Sequence, residues 1–279
     1  MAVFVAASDE TSGGNVFSTY HYSGWVMSED DWSRFFTPAW QEWVLNGPPK
    51  IPYLHMTEMR SKAWREKWGI TARDADIRLD NAALVIDQMG SLFPIDVSID
   101  GSIFRPLYEP HKLTTTSGAV KEFQPDFFAF LPYVYTVLGR VHARNPEAEK
   151  IDFLVENNGE ITKHIHEFYR TMPEALAYIK ANHLIPLLGE LLPAGKDRVP
   201  LQAADYLCWH ARRARAQTLT DRRDLRRWGT ISDRKGLSIP IPTDIMVGLA
   251  EAFKKHEQEN TDRVRGVRQH HAKTNKRSA

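Results

Sequence analysis

One acidic residue in the apolar face of a helix constrains this chain more than any other feature. The segment 200–213 begins with a proline, which suits a first helical turn, and contains no helix breaker after it. Its apolar stripe consists of Leu201, Ala204, Cys208 and Ala211. Asp205 follows Leu201 by four residues and precedes Cys208 by three, so it points along that stripe. A buried carboxylate without a partner costs on the order of several kcal/mol, which predicts that Asp205 is paired or bound to a metal.

Composition sets the broad class. A chain of 279 residues with 42% hydrophobic and 25% charged residues is typical of a soluble globular protein, with one large domain and appendages or two small ones. The single cysteine, Cys208, excludes an internal disulfide framework and a cysteine-based zinc site. The start lacks a basic region, and no apolar run approaches the roughly 18 residues of a membrane span. We therefore expect a cytoplasmic protein with no membrane partner.

The hydrophobic pattern indicates a mixed α and β chain without internal repeats. Apolar runs rich in β-branched and aromatic residues predict strands at 3–8, 16–27, 94–100, 151–156 and 183–188, and the segment 53–56 is compatible with a short strand. Helical patterns follow Ser28, which suits an N-cap, and extend to about Asn46. Further helical patterns cover the region up to Met89, with an interruption near Gly69, and the segments 125–144 and 161–182. The alternation predicts an α/β sheet flanked by helices.

Acidic residues stand where several of these strands end. Asp9 and Glu10 close the first, Asp100 closes the strand 94–100, and Glu156 closes the strand 151–156. Ligands of open α/β sheets bind outside the carboxyl ends of the strands. Carboxylates that converge there would repel each other and would suit Mg²⁺ or Mn²⁺, a pair of which can activate water for phosphodiester cleavage. Alternatively, these acids are solvated loop residues, and Asp205 pairs with an arginine or serves as a cap.

Four short segments also carry a resemblance to a known family. In chain order they are Ser8-Asp9-Glu10-Thr11-Ser12-Gly13, Leu54-His55-Met56-Thr57-Glu58-Met59, Val155-Glu156-Asn157 and Leu201-Gln202-Ala203-Ala204-Asp205-Tyr206-Leu207. With them the chain resembles the DUF3800 family, whose members have a ribonuclease H-like fold. The resemblance spans about three quarters of the chain.

The resemblance implies a metal-binding catalytic centre with four acidic positions. They are filled by Asp9, Glu58, Glu156 and Asp205. The chain departs from the family in two places, because Thr11 separates the Asp-Glu pair from Ser-Gly, and Glu156 replaces the usual aspartate. Asp100 is a rival for the third position, since it also ends a predicted strand.

Other residues allow more than one interpretation. His55 precedes Glu58 by about one helical turn and could shuttle protons, bind phosphate or lie in the core. The aromatic residues Trp32, Trp40 and Trp43 lie near helical spacing, which favours core packing over a platform for stacking bases.

Basic residues cluster directly after the Asp205 helix. The cluster includes Arg212, Arg213, Arg215, Arg222 and Arg223. Such a cluster could hold a phosphate backbone near the acids, or it could be a solvated face balanced by Asp221 and Asp224. The segment 258–279 is basic and almost without apolar residues, which predicts a flexible tail that adds nonspecific affinity for nucleic acid.

Together these patterns predict an α/β fold with a ribonuclease H-like mixed sheet flanked by helices and a helical C-terminal extension. The expected divisions are a ribonuclease H-like domain at 1–216, an extension at 217–257 and the tail at 258–279. We expect a nuclease that hydrolyses phosphodiester bonds by a carboxylate-bound two-metal mechanism with Mg²⁺ or Mn²⁺, and nucleic acid as the partner. The alternative is a catalytically weak or inactive ribonuclease H-like protein that binds nucleic acid or another partner.

Overall fold

The computed structural model describes residues 2–11, 20–99, 112–114, 120–122, 125–157, 165–166, 169–170, 172–232 and 239–240. Its main sheet has six strands, which are β1 (Ala2–Thr11), β2 (Tyr20–Ser28), β3 (Phe93–Ile99), β6 (Ala148–Glu156), β7 (Leu188–Ala194) and the two-residue β8 (Ile239–Pro240). Their order in the sheet is β7–β6–β1–β2–β3–β8. A separate pair consists of β4 (Lys112–Thr114) and β5 (Val120–Glu122).

Strand β2 runs antiparallel to both of its neighbours, β1 and β3. The other pairings within the sheet are parallel: β1 with β6, β6 with β7, and β3 with β8. The carboxyl ends of β1, β6 and β7 therefore meet at one edge of the sheet. The α/β class predicted from the sequence is confirmed.

Helices cover the two faces of the sheet. The first, α1, extends from Glu29 to Leu45 and includes two π-helical segments. The others are α2 (Met56–Arg60), α3 (Lys62–Lys67), α4 (Ala72–Gln88), α5 (Pro125–Arg144), α6 (Met172–Tyr178), α7 (Val199–Arg215) and α8 (Arg222–Ser232). The hydroxyl of Ser28 accepts a hydrogen bond of 3.1 Å from Asp31 N, which confirms the predicted N-cap.

The core has two parts, one on each face of the sheet. On one face, α5 packs its apolar side chains against residues such as Phe153 and Val155. On the other, α1, α4 and α7 pack against residues such as Ala7 and Trp25. Because side chains alternate along a strand, β1 presents Ala7 and Asp9 to the same face, the one that α7 covers.

The tryptophans of α1 do not all share one environment. Trp32 and Trp40 are buried, and their indole N–H groups donate to Val5 O at 3.0 Å and to Gln202 Oε1 at 2.9 Å. The expectation of core packing is confirmed for these two. It is wrong for Trp43, which is 58% exposed.

Two predicted strands differ from the structure. The segment 53–55 is irregular, because Leu54 N donates to the side chain of Gln202 instead of to a neighbouring strand, and Met56 then begins α2. The strand predicted at 183–188 is a 3₁₀ helix over Asn182–Leu187, and β7 starts only at Leu188. Pro186 explains this shift, because a proline has no N–H to donate to a strand ladder.

Candidate acidic site at the carboxyl ends of the strands

The register between β1 and β6 brings two of the predicted acids together. Ser8 is paired with Val155 in this parallel ladder, so the residues that follow, Asp9 and Glu156, are neighbours where the two strands end. Helix α7 passes directly over this point, since the thiol of Cys208 donates to Asp9 O at 3.6 Å. Both strands therefore deliver an acid to the space beneath α7.

Asp205 enters the same space from α7. The helix forms where the sequence predicts it, because its apolar residues pack on the sheet. Asp205 Oδ2 accepts a hydrogen bond of 2.6 Å from Met56 N, the first residue of α2. The N–H groups at the start of a helix have no partner within the helix, so the carboxylate satisfies one of them.

Gln202 holds the backbone segments that surround Asp205. Its Oε1 accepts hydrogen bonds from Trp40 Nε1 at 2.9 Å and from Leu54 N at 3.0 Å. Its Nε2 donates to Lys196 O at 3.0 Å and to Asp197 O at 3.3 Å. The glutamine is buried, and its bonds to Trp40 and Leu54 lie within the protein interior. It thereby ties the segment before α2 and the loop before α7 to the helix that carries Asp205.

Glu58, on α2, lies beside two basic side chains. Its Oε1 is 3.7 Å from His55 Nδ1 and 3.9 Å from Lys196 Nζ. Lys196 Nζ is also 3.7 Å from Glu156 Oε1 and 3.4 Å from His55 Nε2. The sequence analysis missed Lys196, which stands in the Gly195-Lys196-Asp197 loop between β7 and α7. Its place between a strand end and the Asp205 helix is the signal that could have found it.

The acids affect one another's ionisation. Burial raises the pKa of Asp9 well above its usual range, and the negative charges of Asp205, Glu10 and Glu156 raise it further. Burial also raises the pKa of Asp205, and the charge of Glu156 adds to this effect. His55, the N–H of Met56 and Lys196 act in the opposite direction on Asp205 but do not cancel the increase. Asp9, Glu156 and Asp205 therefore lie close enough to repel each other in a weakly solvated space.

The chemistry of this donor set fits a hard divalent cation, since it consists of carboxylates whose mutual repulsion a cation would relieve. The Oε2 atom of Glu58 is buried and has no hydrogen-bond partner among the described residues. The positions of these side chains suit a metal ion less well than their chemistry does. Within the part of the chain that the structure describes, no three histidine, cysteine or acidic side chains are arranged to hold a metal ion. Part of the space between Glu58 and Glu156 is taken by the ammonium group of Lys196.

A second polar cluster adjoins the acids across the sheet. Asp9, Ser23 and Asp96 are direct neighbours on β1, β2 and β3. Ser23 Oγ donates to Asp96 Oδ1 at 2.5 Å, and Arg215 Nη2 lies 2.9 Å from Asp96 Oδ2. Burial alone would raise the pKa of Asp96, but His21, Arg215 and Ser23 together lower it below its usual value. Sequence reasoning missed Asp96, which stands within β3 and not at its end.

The arginines predicted to contact nucleic acid are distributed around α7 and α8. Arg215 pairs with Asp96, Arg223 Nη1 lies 2.5 Å from Asp76 Oδ2, and Arg213 stacks over the ring of Trp209 at 4.6 Å. Arg212 is half-buried and Arg222 is exposed. Their role in binding nucleic acid stays a prediction.

Two further predictions, Asp100 and the tail 258–279, lie outside the described residues. In the described part of the chain, no helix combines the length and apolar character needed to cross a bilayer.

Comparison with models of known protein families finds no match to the chain, and no curated protein is significantly similar to it.

Proposed function

We propose that this protein is a metal-dependent nuclease that hydrolyses phosphodiester bonds, with a ribonuclease H-like fold similar to that of DUF3800 proteins. One observation carries the proposal: the register of β1 and β6 makes Asp9 and Glu156 neighbours beneath α7, the helix that carries Asp205. Burial and the mutual repulsion of these acids raise the pKa values of Asp9 and Asp205. An enzyme that needs a divalent cation requires such a group of acids, whereas a merely structural helix does not.

The sheet supports the fold part of this proposal. Its central strands have the order β3–β2–β1–β6–β7, and among them only β2 runs in the opposite direction. In this arrangement the first strand lies at the centre, and α7, the helix that carries the last of the four acids, passes over its carboxyl end. Asp9 and Asp205 occupy these two positions.

The metal would be held by Asp9 and Asp205, with Glu156 beside them. When bound, a divalent cation would lower the pKa of a water molecule and offset the negative charge that develops on the phosphate. In the reaction a water oxygen forms a bond to phosphorus, the ester P–O bond breaks and the leaving oxygen takes up a proton. We assign the transfer of that proton to His55, whose Nδ1 lies 3.7 Å from Glu58 Oε1 at the edge of the site.

The experiment is a cleavage assay with single- and double-stranded DNA and RNA, each with Mg²⁺, with Mn²⁺ and with a chelator. We expect cleavage that requires the cation and falls at least about 100-fold in Asp205→Asn, the order of loss seen when one electrostatic stabiliser is removed. Asp30→Asn is the matched control, because Asp30 is an exposed acid in an ion pair with Arg34 at 2.7 Å. Binding of nucleic acid without cleavage under any of these conditions would favour the inactive, nucleic-acid-binding alternative.

A further inference from the structure

The loop between β7 and α7 places a basic side chain at the acidic site. Lys196 Nζ lies 3.9 Å from Glu58 Oε1 and 3.7 Å from Glu156 Oε1, so it bridges two acids from different elements. Its third neighbour is His55 Nε2, at 3.4 Å. These three contacts come from α2, from the segment just before it and from the end of β6.

Hydrogen bonds from Gln202 and within the loop fix the backbone at Lys196. Gln202 Nε2 donates to Lys196 O at 3.0 Å, and Gln202 is itself buried and fully hydrogen-bonded. The loop also closes on itself, since Arg198 N donates to Gly195 O at 3.1 Å. Lys196 is therefore anchored at its backbone while its side chain, 35% exposed, reaches the acids. This arrangement differs from that of a mobile surface lysine, whose ion pairs contribute little.

The position of the ammonium group divides the acids into two halves. Glu58 and Glu156 lie within 4 Å of Lys196 Nζ, whereas Asp205 lies on α7, which passes over Asp9 at the end of β1. The charge of Lys196 also lowers the pKa of Asp205, so the ammonium group is near both sides and in contact with the glutamates. Opposite unit charges about 4 Å apart attract each other, and they do so more strongly when the charges are partly buried, as they are here. A divalent ion placed between the two glutamates would have to displace this ammonium group or tolerate its repulsion.

We infer that Lys196 occupies one of the two cation positions of the acidic site, so that the protein binds a single divalent ion on the Asp9–Asp205 side. This inference rests on the proposed function and replaces the two-metal arrangement expected from the sequence by one metal ion and one lysine. The ammonium group, with three N–H donors, would then contact the phosphate oxygen that a second ion would otherwise contact.

The test is the stoichiometry of Mn²⁺ binding, measured by calorimetric titration of the metal alone into the full chain. We expect one Mn²⁺ per chain for the wild type and two for Lys196→Met, in which the position between the glutamates becomes available. Lys196→Arg should keep one. Lys150→Met is the matched control and should also keep one, because Lys150 forms an ion pair with Asp152 at 3.1 Å on β6.

The outcomes separate this inference from the proposed function. Two ions in the wild type, or one ion in Lys196→Met, would overturn the role of Lys196 and leave the metal-dependent nuclease intact. No Mn²⁺ binding in any variant would overturn both. Lys196→Gln is a second variant in case Lys196→Met does not fold, which circular dichroism would show. If neither variant folds, Lys196 is a structural counter-ion and the inference is wrong.

Discussion

Asp205 Oδ2 accepts a hydrogen bond of 2.6 Å from the backbone N–H of Met56. The bond joins α7 to the first residue of α2, the helix that carries Glu58. Asp205 therefore has two roles, and its position in the sequence alone does not distinguish them. It contributes a charge to the acidic site, and it holds the element that supplies a second acid.

Replacing Asp205 by asparagine should separate these two roles. The amide oxygen of asparagine can still accept the bond from Met56, whereas the charge is lost. Because the pKa of Asp205 is raised in the folded protein, its ionised form costs folding free energy at neutral pH. Asp205→Asn should therefore melt at the same temperature as the wild type or higher in the presence of a chelator, and it should lose the increase in melting temperature that Mn²⁺ gives the wild type.

Asp205→Ala is the comparison, because it removes the acceptor as well. It leaves Met56 N without this partner, which should cost about 1–3 kcal/mol. Calorimetric melting of the three proteins, with and without Mn²⁺, measures both effects. A sharp fall in the melting temperature of metal-free Asp205→Asn would show instead that Asp205 belongs to a stabilising ion pair, whose disruption costs about 3–5 kcal/mol.

The sequence patterns identified the acidic residues of the site better than the residues that position them. Asp9, Glu156 and Asp205 could be found because strand ends and helical periodicity are local patterns. The role of Gln202 could not be assigned from such patterns, because its partners include a side chain 162 residues away in the sequence. The short strand considered at 53–56 does not form for the same reason, since Leu54 N donates to the side chain of Gln202 and not to a strand.

Gln202→Ala should therefore destabilise the protein more than its size suggests. The substitution removes the acceptor of the Trp40 and Leu54 N–H groups, both of which lie in the interior. An unsatisfied buried donor costs about 1–3 kcal/mol, so we expect a loss of about 2–5 kcal/mol in urea denaturation. Gln88→Ala, at an exposed position on α4, should change stability by less than about 0.5 kcal/mol. Equal effects at the two positions would contradict the role of Gln202.

Arg227 organises the contact between α8 and α4. Its guanidinium group is 1% exposed and donates to Asp80 Oδ1 at 2.7 Å, to Asp224 Oδ1 at 2.7 Å and to Asp76 O at 2.9 Å. Asp224 also pairs with Arg60, at 2.5 Å, at the end of α2. The network thus connects the helices behind the acidic site to the helix that carries Glu58.

Arg227→Met should destabilise the protein by at least about 2 kcal/mol, because the buried Asp224 loses one of its two arginine partners and Asp76 O loses a donor. Its neighbour Arg226 is a suitable control, since it pairs with the same Asp80 at 3.4 Å but is 68% exposed. Arg226→Met should change stability by no more than about 1 kcal/mol. Urea denaturation of the two variants measures the difference. Similar losses would show that burial does not control the strength of this network.

His210 should make the stability of the protein depend on pH below neutrality. The ring is fully buried, and Nδ1 interacts with Tyr206 O at 2.8 Å. Burial lowers the pKa of His210 from 6.5 to about 4, even though the contact with Tyr206 O and the charge of Asp224 oppose this effect. Between these two values the unfolded chain binds a proton that the folded protein does not.

The contribution of His210 to stability is therefore complete above about pH 6.5, falls as the pH decreases and is lost by about pH 4. The total loss is about 3 kcal/mol, since one pKa unit corresponds to about 1.4 kcal/mol. His210→Gln cannot take up this proton, so its free energy of unfolding should decrease less than that of the wild type between pH 7 and pH 4.5. His142→Gln, at an exposed histidine, should follow the wild type. If urea denaturation gives parallel curves for His210→Gln and the wild type, the buried ring does not control this pH dependence, and the acids of the network around Arg227 are the next groups to replace.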